Sequence, residues 1–128
     1  MIEIQAFIQA VLQQDRERLR HFFCEDAHIN WHCTNERFTV EEYIRANCEY
    51  PGTWGGEIES VNQFEDLAIV VMRVFLTDRS SYCLCVSCIR CQKDKICSLD
   101  EWWADVGAPP RWRREMHIGV PIRMVETT

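Results

Sequence analysis

Glu101 is the residue in this sequence best suited to moving a proton. It lies in the run KICSLDEWWAD, and on an extended strand it shares a face with Cys97, Leu99 and Trp103, because successive side chains point to opposite sides. A carboxyl among apolar neighbours loses hydration, which raises its pKa toward values useful for general acid or base work. The same position also suits a glutamate paired with an arginine, capped by an amide or turned to solvent. Trp31 and Trp103 offer flat faces to a planar ligand, or equally fill a core. Ser87 has no His–Asp relay in the same region, which argues against a nucleophilic triad. His28 and His32 have the spacing H-x-x-x-H. That spacing brings side chains together on a helix but separates them on a strand, so they read as polar-face histidines rather than metal ligands. Asn35 and Asn47 can orient a substrate or, as such residues commonly do, bond nearby backbone. Cys88 and Cys91 form a single C-x-x-C without a second pair or histidines at finger spacing, and on a strand they face opposite sides. The eight cysteines then read as small buried hydrophobes. No metal and no cofactor is expected.

The elements that position these residues must fit one domain, residues 1–128, since that length suits a single core. A hydrophobic fraction of 47% and five Trp supply the material for it. The net charge of −6 is spread along the chain and argues against nucleic acid, whose backbone demands clustered Lys and Arg. The one basic cluster, Arg111, Arg113 and Arg114, is short. The start, MIEIQAFIQAVLQQ, has an acidic Glu3 and no basic region or cleavage site, unlike a secretion signal. No stretch reaches the roughly 18 apolar residues of a membrane span. The expectation is a cytoplasmic protein with no membrane partner and, lacking a secretion signal, no disulfides.

Ile4, Phe7, Ile8, Val11 and Leu12 repeat at helical spacing. Asp15 can cap a second helix that Phe22 and Phe23 close. His28 to Cys33 alternates as a half-buried strand, a polar loop follows, and Thr39 with Glu42 matches a capping box for a helix that Pro51 and Gly52 stop. Four strands come next: Glu57 to Phe64, polar and edge-like, then Leu67 to Leu76, Ser81 to Cys91 and Lys95 to Trp103. Taking Gln92 to Asp94 as a three-residue turn sets Ser87 opposite Leu99 and Cys85 opposite Glu101. The tail from about residue 107 reads mostly as loop. Helices first and antiparallel strands after make an α+β fold.

This order, with the local texts DRERLRHFFCEDAHINW and DKICSLDEWWAD at their places in it, resembles the nuclear transport factor 2-like superfamily in its SnoaL-like branch, over about Ile4 to Trp112. The resemblance implies helices packed on a strongly curved sheet, a cone-shaped internal pocket and, in many members, a homodimer. It does not by itself imply an activity. The ketosteroid isomerases of this superfamily need a Tyr in the first helix, an Asp base on the first strand and a protonated Asp in the sheet. Phe7, Trp31 and Ser87 stand where those groups belong, so that chemistry is not expected. Against the limonene-type epoxide hydrolases, Glu101 matches the last-strand carboxylate. Their Arg-x-Asp aligns with Arg73-Val74-Phe75, which lacks the second carboxylate and puts Arg73 on the wrong face. For the SnoaL-type cyclases either Glu101 or Asp105 matches the acid/base position.

Parity and family layout together place Trp31, Met72, Cys85, Ser87, Leu99, Glu101 and Trp103 around one pocket, with Phe7 and Tyr43 added from helices. Three readings stay open: a module binding a small apolar organic ligand; a cofactor-independent isomerase, cyclase, dehydratase or hydrolase using Glu101; and a structural homodimer whose pocket is filled by its own Trp residues. The other sheet face carries Val71, Phe75, Leu84, Val86, Cys88 and Trp102. A face so apolar is expected to pair with that of a second copy, with Phe75, Val86 and Trp102 near the centre.

Overall fold

The structure, a computed structural model, describes residues 1–123; Met124–Thr128 lie outside the described residues. Helix α1 (Ile4–Leu12) buries Ile4, Phe7, Ile8 and Val11, the stripe expected from their spacing. Helix α2 (Arg16–Phe22) starts at Asp15, whose carboxylate accepts from the Arg18 amide at 3.2 Å and so satisfies one of the free donors of a first helical turn. Phe23 does not close this helix but opens β1 (Phe23–Trp31). Its ring lies 5.9 Å from that of Phe7 and 5.6 Å from that of Tyr43. Edge-on packing against two helices makes it sheet core.

The strand expected to reach Cys33 stops at Trp31. His32–Thr34 form a 3-10 turn ended by Asn35 at φ 56°, a left-handed conformation that Asn tolerates. The expected polar loop is therefore a reversal, and β2 (Glu36–Thr39) returns antiparallel to β1. The capping box of α3 (Val40–Cys48) is formed in both directions: the Glu42 amide donates to Thr39 Oγ1 at 3.2 Å, and the Thr39 amide donates to Glu42 Oε1 at 2.9 Å. After Pro51, Gly52 at φ 104° turns the chain, where a residue with Cβ would be strained.

β3 (Trp54–Phe64), β4 (Leu67–Leu76), β5 (Tyr82–Gln92) and β6 (Lys95–Asp105) form an antiparallel meander. β6 then pairs in parallel with β1, giving the order β2-β1-β6-β5-β4-β3. The inner face is closed by the helices: Ala68, Val70, Ile89, Ile96 and Leu99 are all fully buried in one cluster with Phe7, Leu19, Tyr43 and Ile44.

The β5–β6 register differs from the expected one by two residues. The turn has two residues, Lys93 and Asp94, both at positive φ (50° and 63°), the backbone of a tight hairpin whose twist matches the strands. A bulge then falls at Cys97, between the pairs Cys91–Ile96 and Arg90–Ser98. Ser87 consequently faces Glu101, and Cys85 faces Trp103. Ile96 occupies the inner position expected of Cys97, whose thiol instead donates to the Arg90 carbonyl at 3.3 Å.

Within the tail Arg111–Glu115 form a short helix, α4. One further expectation changes. Phe75, expected on an open outer face, is 9% exposed. Gly55 leaves a slot for its ring, where an added Cβ would sit 2.8 Å from it, and the Arg79 guanidinium covers it at 4.2 Å. Val71, Leu84, Val86 and Cys88 are half-buried and Trp102 is exposed. Among the described residues no helix is long and apolar enough to cross a membrane.

Candidate functional site

Three adjacent strands bring Trp31, Glu101 and Ser87 into one row. Trp31 on β1 and Ser87 on β5 are the direct register partners of Glu101 on β6. Same-face neighbours at that spacing are in side-chain reach, and here they bond. The Trp31 indole N–H donates to Glu101 Oε1 at 3.1 Å, and the Ser87 hydroxyl donates to Oε2 at 2.5 Å. The Cys85 thiol approaches Oε2 at 3.6 Å. Glu101 is 3% exposed. Burial pushes its pKa above the usual carboxylate range, and the donors around it offset only part of that. The Trp103 indole N–H also favours the charge but makes no hydrogen bond of acceptable geometry, and the buried Tyr43 hydroxyl has no partner either. Burial, with the Glu101 charge second, drives the Tyr43 hydroxyl and the Cys85 thiol well above their ordinary values. A carboxyl so held keeps its proton to higher pH than a solvated one, while the thiol and phenol beside it stay protonated.

An open cavity of about 270 Å³ lies above this row. Of the expected pocket residues it is lined by Trp31 and Trp103 alone. Their rings meet edge to face at 6.5 Å and 67°. Phe7, Tyr43, Met72, Cys85, Ser87, Leu99 and Glu101 are buried and do not line the cavity. The expected residues thus divide between two indoles on the cavity and a buried polar row. Trp31 belongs to both, with its ring on the cavity and its N–H on the carboxylate.

The remaining walls come from residues outside the expected pocket, among them Asp105, which the sequence offered only as an alternative acid/base position. Val11 and Leu12 end α1, Tyr50 and Trp54 flank the Pro-Gly turn, and Val74, Cys83 and Asp105 close the strand side. Cys83 and Asp105 continue the odd-numbered face of Cys85, Glu101 and Trp103, so carrying that parity to the strand ends would have found them. Asn47 does line the cavity, but its amide donates to the Val11 carbonyl at 3.0 Å. Gln14 beside it donates to the Asn47 and Tyr50 carbonyls at 2.9 and 2.8 Å. Both amides tie α1 to the end of α3.

The other candidate residues sit elsewhere. Asn35 caps the 3-10 turn. On the outer face Asn30 donates to Asp100 Oδ1 at 2.8 Å, His32 Nε2 lies 2.7 Å from the same oxygen, and the His32 ring stacks on Trp102 at 4.3 Å. Burial works to raise the Asp100 pKa, but these bonds outweigh it and hold the carboxyl below its usual value. Arg73 pairs with Glu59 at 3.4 Å, on the side away from Glu101. Cys91 is buried and Cys88 half-buried, on opposite faces of β5. Among the described residues no group of three or more His, Cys, Asp or Glu is set to hold a metal.

No protein-family model and no curated protein sequence matches the chain. Solved structures match it at low identity. A candidate ketosteroid isomerase from Kribbella flavida superposes with a TM-score of 0.78 at 20% identity, covering 98% of this chain and 92% of its own. A nuclear transport factor 2-like protein of unknown function from Burkholderia xenovorans gives 0.72 at 18%, covering 92% of each chain. A candidate SnoaL-like polyketide cyclase from Shewanella denitrificans gives 0.67 at 9%, covering 79% of this chain and 87% of its own. Helices closed over a mixed sheet, the strand order and these superpositions together show that the chain has the fold of these nuclear transport factor 2-like and ketosteroid isomerase-like proteins.

Proposed function

We propose that the protein binds a small, mainly apolar organic ligand in the open cavity. The observation that carries this reading is the cavity of about 270 Å³ floored by the Trp31 and Trp103 rings. It lies near the lower end of the roughly 300–1,000 Å³ common for ligand pockets, which suits a small molecule. Val11, Leu12 and Val74 supply aliphatic walls for it. A set of neutral apolar fragments, titrated while following Trp emission, tests the reading. Saturable binding is expected in the wild type and is lost in Cys83→Phe, which fills the cavity from its strand side while leaving Glu101 itself unchanged. Absence of saturable binding, or undiminished binding by the filled variant, overturns it.

The raised pKa of Glu101 favours a second reading, a cofactor-independent isomerase, cyclase, dehydratase or hydrolase in which Glu101 transfers a proton. It requires Trp103 to swing aside, because Glu101 does not line the cavity. Turnover that survives in Glu101→Gln removes Glu101 as the catalyst. The third reading, a structural homodimer with Trp-filled pocket, draws on the edge-to-face pair that the two indoles make on the cavity.

Dimerisation is compatible with all three. We place its centre on Val71, Leu84, Val86 and Trp102, without the covered Phe75. Light scattering at micromolar concentration should give twice the 15.2 kDa chain mass, reduced to one chain in Val86→Glu; a wild-type mass of one chain, unchanged by concentration, rules it out. A reducing, cytoplasmic setting fits the eight free thiols.

A further inference from the structure

Four residues that line the cavity are aromatic: Trp31, Tyr50, Trp54 and Trp103. They form two edge-on pairs, Trp31 with Trp103 at 6.5 Å and Tyr50 with Trp54 at 5.3 Å. The Trp54 ring is fixed by its N–H, which donates to the Pro51 carbonyl at 3.1 Å. Asp105 is the one charged side chain on the lining, and no Lys, Arg or His is part of it. Its place at the mouth is set by the ladder, where it pairs with Cys83 at the end of β6. Among the described residues it belongs to none of the ion pairs, which use other carboxylates.

An anionic ligand would meet a carboxylate, and it would find the Gln14 amide donors spent on backbone carbonyls and those of Asn47 on the Val11 carbonyl and the Cys48 sulfur. A cation meets the opposite situation. Aromatic faces carry negative electrostatic potential and attract alkylated ammonium groups, which are weakly hydrated and easily moved from water. A carboxylate at the rim supplies the counter-charge, and a net charge of −6 draws cations toward the whole molecule.

We infer that the ligand is an organic cation, a methylated or otherwise alkylated ammonium whose head lies among the four rings with Asp105 as its counter-ion. The inference rests on the cavity being the ligand site and adds the charge of the ligand to that reading.

Choline and its uncharged carbon isostere 3,3-dimethyl-1-butanol have nearly the same shape and separate charge from size. Both are titrated calorimetrically into wild type, Asp105→Asn and Cys83→Phe. Choline should bind about tenfold or more tightly than the isostere, as a cation in a partly desolvated aromatic site does. Asp105→Asn should weaken choline about fivefold or more and leave the isostere unchanged, and added salt should weaken choline alone. Isostere or neutral fragments binding as well as choline, and lost in Cys83→Phe, would overturn the charge assignment and leave the cavity reading intact. No saturable binding of choline, isostere or neutral fragments would overturn both.

Discussion

Replacing Glu101 by glutamine separates the proton from the shape of the site. In the folded chain burial holds the carboxyl's pKa above its ordinary value, whereas in the unfolded chain it titrates near about 4.3. Between those two values the folded protein keeps a proton that the unfolded chain has released. Wild-type stability therefore falls as pH rises from the unfolded toward the folded pKa, and this contribution is flat above it. The loss amounts to about 1.4 kcal/mol for each unit of upward shift. Glutamine has no such dependence. Its carbonyl can accept from the Trp31 indole where Oε1 accepts at 3.1 Å, and its amide can donate to Ser87 Oγ where Oε2 accepts at 2.5 Å. Exchanging charge-assisted for neutral hydrogen bonds costs about 1 kcal/mol. Glu101→Ala instead leaves the Trp31 donor without a partner, at about 1–3 kcal/mol, and Ser87 with only the weaker contact to Cys85 Sγ at 3.5 Å. Urea unfolding at pH 4.5, 6 and 8, followed by Trp emission, reads all three proteins. The glutamine variant should gain on the wild type as pH rises, while the alanine variant stays well below the glutamine variant throughout. A wild-type-minus-glutamine difference that does not move with pH would refute the desolvation argument. A glutamine variant as unstable as alanine would show that the row requires negative charge.

The Asp100 carboxyl behaves with the opposite sign. Because its folded pKa is lowered, its stabilisation is present above the ordinary carboxylate range and is lost as pH falls through the lowered value; Asp100→Asn should cost about 1 kcal/mol at pH 7 and progressively less as pH falls, measured by denaturant midpoints on protein that stays folded at each pH. Thr39→Ala removes one half of the capping box and should cost about 1 kcal/mol, recovered in part by Thr39→Ser, with the thermal midpoints of the three proteins as the measurement.

The faces of the sheet were legible from alternation because the two departures in the β5–β6 hairpin cancel. The shorter Lys93-Asp94 turn shifts the pairing by one residue, which alone would exchange inner and outer faces. The bulge at Cys97 shifts it once more and restores them. Glu101 and Ser87 were therefore assigned to the correct face, while their direct pairing stayed hidden in a register that no local pattern sets. Asn35 concealed β2, since a left-handed reversal in a polar run looks like loop until the returning strand is seen. The depth of the cone was not readable either. Of the expected lining residues Trp31 and Trp103 alone reach the cavity and the other seven are core, a division that alternation along a strand does not set. Gly55 hid Phe75 in the same way, by making room on a neighbouring strand.

The bond between Trp31 and Glu101 joins residues 70 positions apart, across the parallel seam between β1 and β6. Its consequence concerns the order of assembly. The meander from β3 to β6 closes through short turns, each with a small loss of chain freedom, whereas the seam must gather a long loop before any contact rewards it. During synthesis β1 leaves the ribosome early and waits for the last strand to be made, with an unpaired edge and Trp31 exposed in the meantime. The carboxyl is thus sealed by the latest and most distant pairing in the sheet. Pulse labelling of amides during refolding should find β4 and β5 protected before β1; simultaneous protection would contradict this order. The half of the molecule most vulnerable to misassembly is then the half that encloses Glu101.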